Sequence, residues 1–157
     1  MTQFFERVSH CVTTHGGIVE KFAGDAVLAA FGIPQAHEDD AERAIRAALA
    51  MLDSVKELGL VARVGVESGE VVVDESESTF ATGEAVTLAA RLQQAAGPGE
   101  ALIGPHAYRL SSGRVQAEDV GPLDVKGFGE RIWTWRAVAV LDEAPTPTAL
   151  AAPLVGR

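Results

Sequence analysis

At 157 residues, 47% hydrophobic and with a formal net charge of −9, the chain is long enough for one domain with a buried core. It has no apolar run that could span a bilayer and no signal-peptide pattern, and its acidic balance argues against nonspecific binding to nucleic acid or a membrane surface. The single cysteine, Cys11, excludes an internal disulfide, so the expected setting is a reducing cytoplasm and Cys11 is expected as a small buried hydrophobe.

Residues 2–14 place Phe4, Phe5, Val8 and Val12 at spacings of three and four, which predicts a helix. His15-Gly16-Gly17 stops it, with glycine in the C-cap region. Ile18, Val19 and Phe22, then Val27, Leu28 and Phe31, predict two strands joined at Gly24-Asp25. Such a pair favours a hairpin turn, because glycine accepts positive φ and aspartate bonds back to the local backbone. Asp25 is therefore expected at a hairpin tip, four residues after Lys21. A carboxylate there can hold a divalent metal, and a lysine nearby can meet a base edge or a phosphate.

Pro34 ends the hairpin, and Glu38, Asp39 and Asp40 open a second helix by complementing its dipole. The cluster His37-Glu38-Asp39-Asp40 is assigned to this charged helix start rather than to a metal site. Ala41, Ala44, Ile45, Ala48, Leu52 and Val55 form the helix's apolar stripe, and Gly59 closes it. Strands are expected at 60–66 and 70–73 around Ser68-Gly69, followed by an exposed acidic segment, 74–79. A third helix spans 83–96, with Ala85, Leu88, Ala89, Leu92 and Ala95 inward and Glu84, Thr87, Arg91 and Gln94 on another face. Pro98-Gly99 breaks it. A short strand at 100–103, one or two helical turns at 106–110, and strands at 115–120 and 132–140 follow, with Lys126-Gly127-Phe128-Gly129 turning between the last two. Trp133 and Trp135 alternate on the final strand, where core or interface packing accounts for them. Segment 141–157 is rich in proline and alanine and predicts a linker after a domain at 1–140.

Four segments occur in a telling order: Lys21 with Gly24-Asp25; the long helix after it; Val64-Gly65-Val66-Glu67-Ser68-Gly69-Glu70-Val71; and Thr82-Gly83 before Ala85-Val86-Thr87-Leu88-Ala89-Ala90-Arg91-Leu92. Together they resemble the class III nucleotide cyclases, the adenylyl and guanylyl cyclase catalytic domains, over residues 16–138. The resemblance implies an α+β, ferredoxin-like fold: a mainly antiparallel sheet with helices on one face, here lacking its first strand. It implies formation of cyclic AMP from ATP, or less readily cyclic GMP from GTP, with release of pyrophosphate, in intracellular signalling. The cofactors would be two divalent ions, magnesium or manganese, and the active sites would be shared in a homodimer.

By the same resemblance, Asp25 corresponds to the second metal-binding aspartate, and the first belongs to a strand ahead of the first helix. Lys21 corresponds to the lysine that reads the purine. Phe80 stands where its acidic or threonine partner is expected; it can stack on a base but cannot hydrogen-bond it. Thr87 stands where the family has a ribose-orienting asparagine, and a hydroxyl lacks the amide's reach and its two donors. Arg91 corresponds to the arginine that stabilises the transition-state phosphate, one turn from Thr87. Lys126 corresponds to a late phosphate-binding lysine. These departures support an alternative: a catalytically degenerate cyclase-homology module that dimerises or senses nucleotide. The end of the chain, Ala152-Pro153-Leu154-Val155-Gly156-Arg157, resembles the start of an AAA- or STAND-type ATPase domain, which such a module would regulate. Without the first strand and its aspartate, residues 1–157 alone are expected to be inactive.

Overall fold

The computed structural model describes residues 2–23, 26–32, 38–69, 84–124, 129 and 131–141. The expected Gly24-Asp25 turn, the strand at 70–73, the segment 74–79, Phe80, Lys126 and the linker 142–157 lie outside them.

Helix α1, Thr2–Thr14, buries Val8 and Val12 and ends as its sequence predicts. Gly16 has φ +87, and the amides of Gly16 and Gly17 bond back to the carbonyls of Thr13 and Val12 at 3.0 and 2.9 Å. Strands β1, Ile18–Ala23, and β2, Ala26–Ala30, pair antiparallel as the apolar runs require, with a register shift between Val19 and Lys21. Helix α2, Asp40–Lys56, starts in acid: Arg43 pairs with Asp39 at 3.1 Å and with Asp40, and it donates to the His15 carbonyl at 2.8 Å. That last bond ties the start of α2 to the turn that leads into β1.

Strand β3, Val64–Val66, is shorter than the expected 60–66. The Leu60 amide is already used by the Val55 carbonyl, which closes α2, and Ala62 accepts from Gly99. Val61 is left 67% exposed. Helix α3, Glu84–Ala95, strand β4, Ala101–Ile103, and helix α4, Pro105–Leu110, follow. Strand β5, Val115–Asp124, outruns the expected 115–120. A register shift between Asp119 and Gly121 carries the strand on, and Pro122 is tolerated because β5 is an edge strand. Among the described residues, strand β6, Arg131–Val140, completes a four-stranded sheet in the order β3-β4-β6-β5, in which only β3 and β4 pair parallel. Antiparallel pairing therefore prevails, as expected, alongside the separate β1-β2 sheet.

The alternation of β4 sets the layers. Ala101 and Ile103 pack with Ile45, Ala48 and Ala107 from α2 and α4, whereas Leu102 packs with Leu88, Leu92 and Ala96 from α3 and beyond. The helices thus divide between the two faces of this sheet, where the resemblance implies a single helical face. A third cluster joins Val8 and Val12 of α1 to Val55 of α2, with Val19, Val27, Ala29 and Phe31 of the hairpin segment against them. On α3 the apolar stripe is one residue off at its end: Ala95 is exposed and Ala96 is buried. Trp135 stacks on Tyr108 with ring centroids 3.9 Å apart, while Trp133 is 46% exposed and donates to Asp119 at 2.9 Å. Cys11 is buried as expected.

Candidate active site on helix α3

Helix α3 is seated by a missing side chain. A Cβ on Gly65 of β3 would run into the Ala89 carbonyl oxygen and the Gln93 amide, so only glycine lets the α3 backbone lie directly on the strand. Leu88 and Leu92 point into the sheet from this seat and are 5% and 0% exposed. Their helical neighbours Thr87 and Arg91 fall one turn apart on an adjoining face, Thr87 exposed and Arg91 half-buried.

The Arg91 guanidinium is divided between two environments. Its Nη1 donates to Gln94 Oε1 at 3.3 Å on the exposed side. Its Nε is buried and has no hydrogen-bond partner among the described residues. A buried donor without a partner is costly, on the order of 1–3 kcal/mol, and a cation held part-way out of water is suited to an oxyanion.

Of the other residues singled out in the sequence, Lys21 lies in β1, its backbone opposite Leu28 in the separate two-stranded sheet. Asp25, Phe80 and Lys126 lie outside the described residues, so the structure brings together only Thr87 and Arg91 of the set. Among the described residues no three His, Cys, Asp or Glu side chains gather as a metal site. A cleft of about 310 Å³ between α2 and the β5-β6 pair is lined by Leu52, Asp53, Glu118 and Arg136 and contains neither Thr87 nor Arg91.

One residue that pattern reading passes over is Glu67, directly after β3. Its side chain is 1% exposed. Oε1 accepts from the amides of Ser68 and Ala107, each at 2.8 Å, and Oε2 lies 3.4 Å from His106 Nδ1. The available signal was an acid between an apolar strand and Ser68-Gly69, with a helix starting at Pro105 whose first amides needed an acceptor.

Known proteins resemble this chain in sequence and in fold. A putative adenylate cyclase of Rhizobium meliloti is 31% identical over 97% of the chain, and an uncharacterised protein of the same organism is 29% identical over 88%. The chain spans only 26% and 15% of those two proteins' lengths. Among solved structures, the adenylyl cyclase CyaB of P. aeruginosa superposes with a TM-score of 0.76 at 26% identity, covering 89% of this chain and 81% of that one. The guanylyl cyclase Cya2 superposes with a TM-score of 0.80 at 25% identity, covering 96% of this chain and 83% of that one. The family model described as "Adenylate and Guanylate cyclase catalytic domain" matches residues 1–137. With a cyclase-like fold and that match over most of its length, the chain belongs to the adenylate and guanylate cyclase catalytic domain family.

Proposed function

We propose that this nucleotide cyclase domain takes ATP in preference to GTP and closes it to cyclic AMP. The observation that carries the reading is the half-buried Arg91 guanidinium, whose Nε has no partner among the described residues, one turn from Thr87 on α3. The 31% identity to a putative adenylate cyclase supports the choice of ATP. In the reaction the 3′-oxygen loses its proton and bonds to the α-phosphorus. The bond from that phosphorus to the bridging oxygen breaks, and pyrophosphate leaves. Arg91 faces the charge that develops on the α-phosphate, and Thr87 offers its hydroxyl to the ribose. Lys21 meets the purine, Phe80 packs against it, and Lys126 meets a phosphate. Asp25 would hold a divalent ion, which when bound neutralises triphosphate charge. The partner protomer of a homodimer would complete the site, and segment 141–157 would lead to an ATPase domain. A nucleoside triphosphate substrate suits the cytoplasm, and no helix among the described residues is long and apolar enough to cross a membrane.

Thr87, in place of the family's asparagine, favours one second reading: a module that binds nucleotide and dimerises without turnover. A single experiment separates the two. The purified protein is supplied with ATP or GTP and manganese, and cyclic nucleotide and pyrophosphate are quantified by chromatography. For a protein that also carries the strand and aspartate the resemblance calls for, the expected result is cyclic AMP in excess of cyclic GMP, with pyrophosphate in equal amount; residues 1–157 alone are expected to form neither. Arg91→Met should lower kcat about 10²–10³-fold, the cost of losing one preorganised oxyanion donor, without lowering the urea midpoint. Nucleotide binding with no cyclic product would favour the second reading.

A further inference from the structure

We propose that Glu67 is a positioning residue: its buried carboxylate fastens the end of β3 to the first turn of α4 and so fixes the ground on which the Thr87–Arg91 turn of α3 stands. The part of this proposal that concerns catalysis rests on the function proposed above; the mechanical part does not.

Three observations meet at this residue. First, Glu67 is 1% exposed at its side chain although it is ionisable, and one of its oxygens receives two backbone amides. Few side chains are less willing to be buried, and those that are buried are held by hydrogen bonds. The carboxylate supplies the acceptor that the Ala107 amide lacks at the start of a short helix, since Gly104 provides no side-chain cap. Second, the surroundings are shaped to admit it. A Cβ on Gly104 would collide with the Glu67 carboxylate, and the Gly104 amide bonds to the Val66 carbonyl at 2.9 Å, which brings the exits of the parallel strands β3 and β4 side by side. Third, the segment that Glu67 anchors runs along α3. Gly65 lies against Ala89 and Gln93, and a Cβ on Gly69 would sit 3.1 Å from the Ala85 side chain. Glu67 is thus the fixed point between two contacts that together span α3 from its first turn past Arg91.

An anchor of this kind acts on the reaction through geometry. Arg91 does its work only if its guanidinium meets the α-phosphate as charge develops, and misplacement by about 1 Å can cost about 10²-fold in rate. Glutamine at position 67 keeps an acceptor oxygen for Ser68 and Ala107. Aspartate keeps the charge but withdraws it by one methylene, and alanine removes both.

The test measures amide hydrogen exchange on the whole protein beside steady-state kinetics, for Glu67→Gln, Glu67→Asp and Glu67→Ala. Glu67→Ala is expected to speed exchange at Ser68 and Ala107 and also through residues 85–91, and to lower kcat about 10–100-fold with KM for nucleotide within about threefold. Glu67→Gln is expected to stay close to the parent in both measurements. If alanine does not fold, Glu67→Asp shows the same pattern in milder form. Faster exchange confined to Ser68 and Ala107, with 85–91 unchanged, overturns the proposal, as does a Glu67→Gln protein as impaired as Glu67→Ala. If the parent carrying that strand and aspartate turns over neither ATP nor GTP, the functional reading fails while the exchange pattern still decides the role of Glu67.

Discussion

At the scale of single residues, two polar groups are held out of water: the Nε of Arg91 on α3 and the carboxylate of Glu67 after β3. Arg91 was legible because its type and its spacing from Thr87 repeat a recognisable motif; the burial of its Nε was not, because burial of one atom depends on how α3 seats on β3. Glu67 was missed altogether, since its two amide partners come from positions 68 and 107, and no local pattern connects them. Cys11 is a buried hydrophobe, as a lone cysteine in the apolar stripe region of α1 suggests, and its burial has a measurable outcome. Burial pushes the thiol above its ordinary value of 9.0, against a hydrogen bond to Ser54 and the charge of Arg7, which both pull it down. The unfolded chain then loses the proton at a lower pH than the folded one, so folding stability is lost as pH rises through that interval. Between about pH 8 and about pH 10 the urea midpoint of the parent should fall more steeply than that of Cys11→Ala. Equal slopes would show that the thiol is not held in its neutral form.

At the scale of elements, the helices were the legible part, because their apolar stripes and stop signals are local. Helix α1 matches its expected span, and α2 and α3 differ from theirs by a residue or two. The strands were less legible because their ends are set by pairing. Residues 60–63 have strand composition, yet the Leu60 amide is committed to closing α2 and the Ala62 carbonyl to Gly99. Gly121 and Pro122 look like an ending, yet the edge position of β5 lets the strand continue. The glycine of β3 is a comparable case: its reason is the helix laid over it. Gly65→Ala should force α3 away from the sheet and destabilise the domain by about 1–3 kcal/mol, the usual scale for overpacking, as read from urea denaturation. It should also lower turnover more than that loss of stability explains, because Arg91 moves with the helix. A variant as stable and active as the parent would mean that α3 tolerates the shift and that its close seat is incidental.

At the scale of the whole molecule, the α+β class and the dominance of antiparallel pairing were legible from the order of the motifs, whereas the division of helices between two sheet faces was not. That division follows from the pairing of β3 with β4 across the length of α3, a contact distant in sequence. The hairpin and the four-stranded sheet share no backbone pairing among the described residues. What joins them is α2: Ile45 and Ala48 belong to the core under the larger sheet, Val55 to the core under the hairpin, and Met51 touches both. One helix that serves two cores makes cooperativity a property of a few side chains. With Met51 in place, loss of either core should unfasten the other, and the domain should melt in a single transition. Met51→Ser should weaken that linkage and let the β1-β2 region open at a lower temperature than the rest, giving two calorimetric transitions where the parent shows one. The same helix would then be the route by which a disturbance at the Lys21 hairpin reaches the sheet on which α3 and Arg91 are seated.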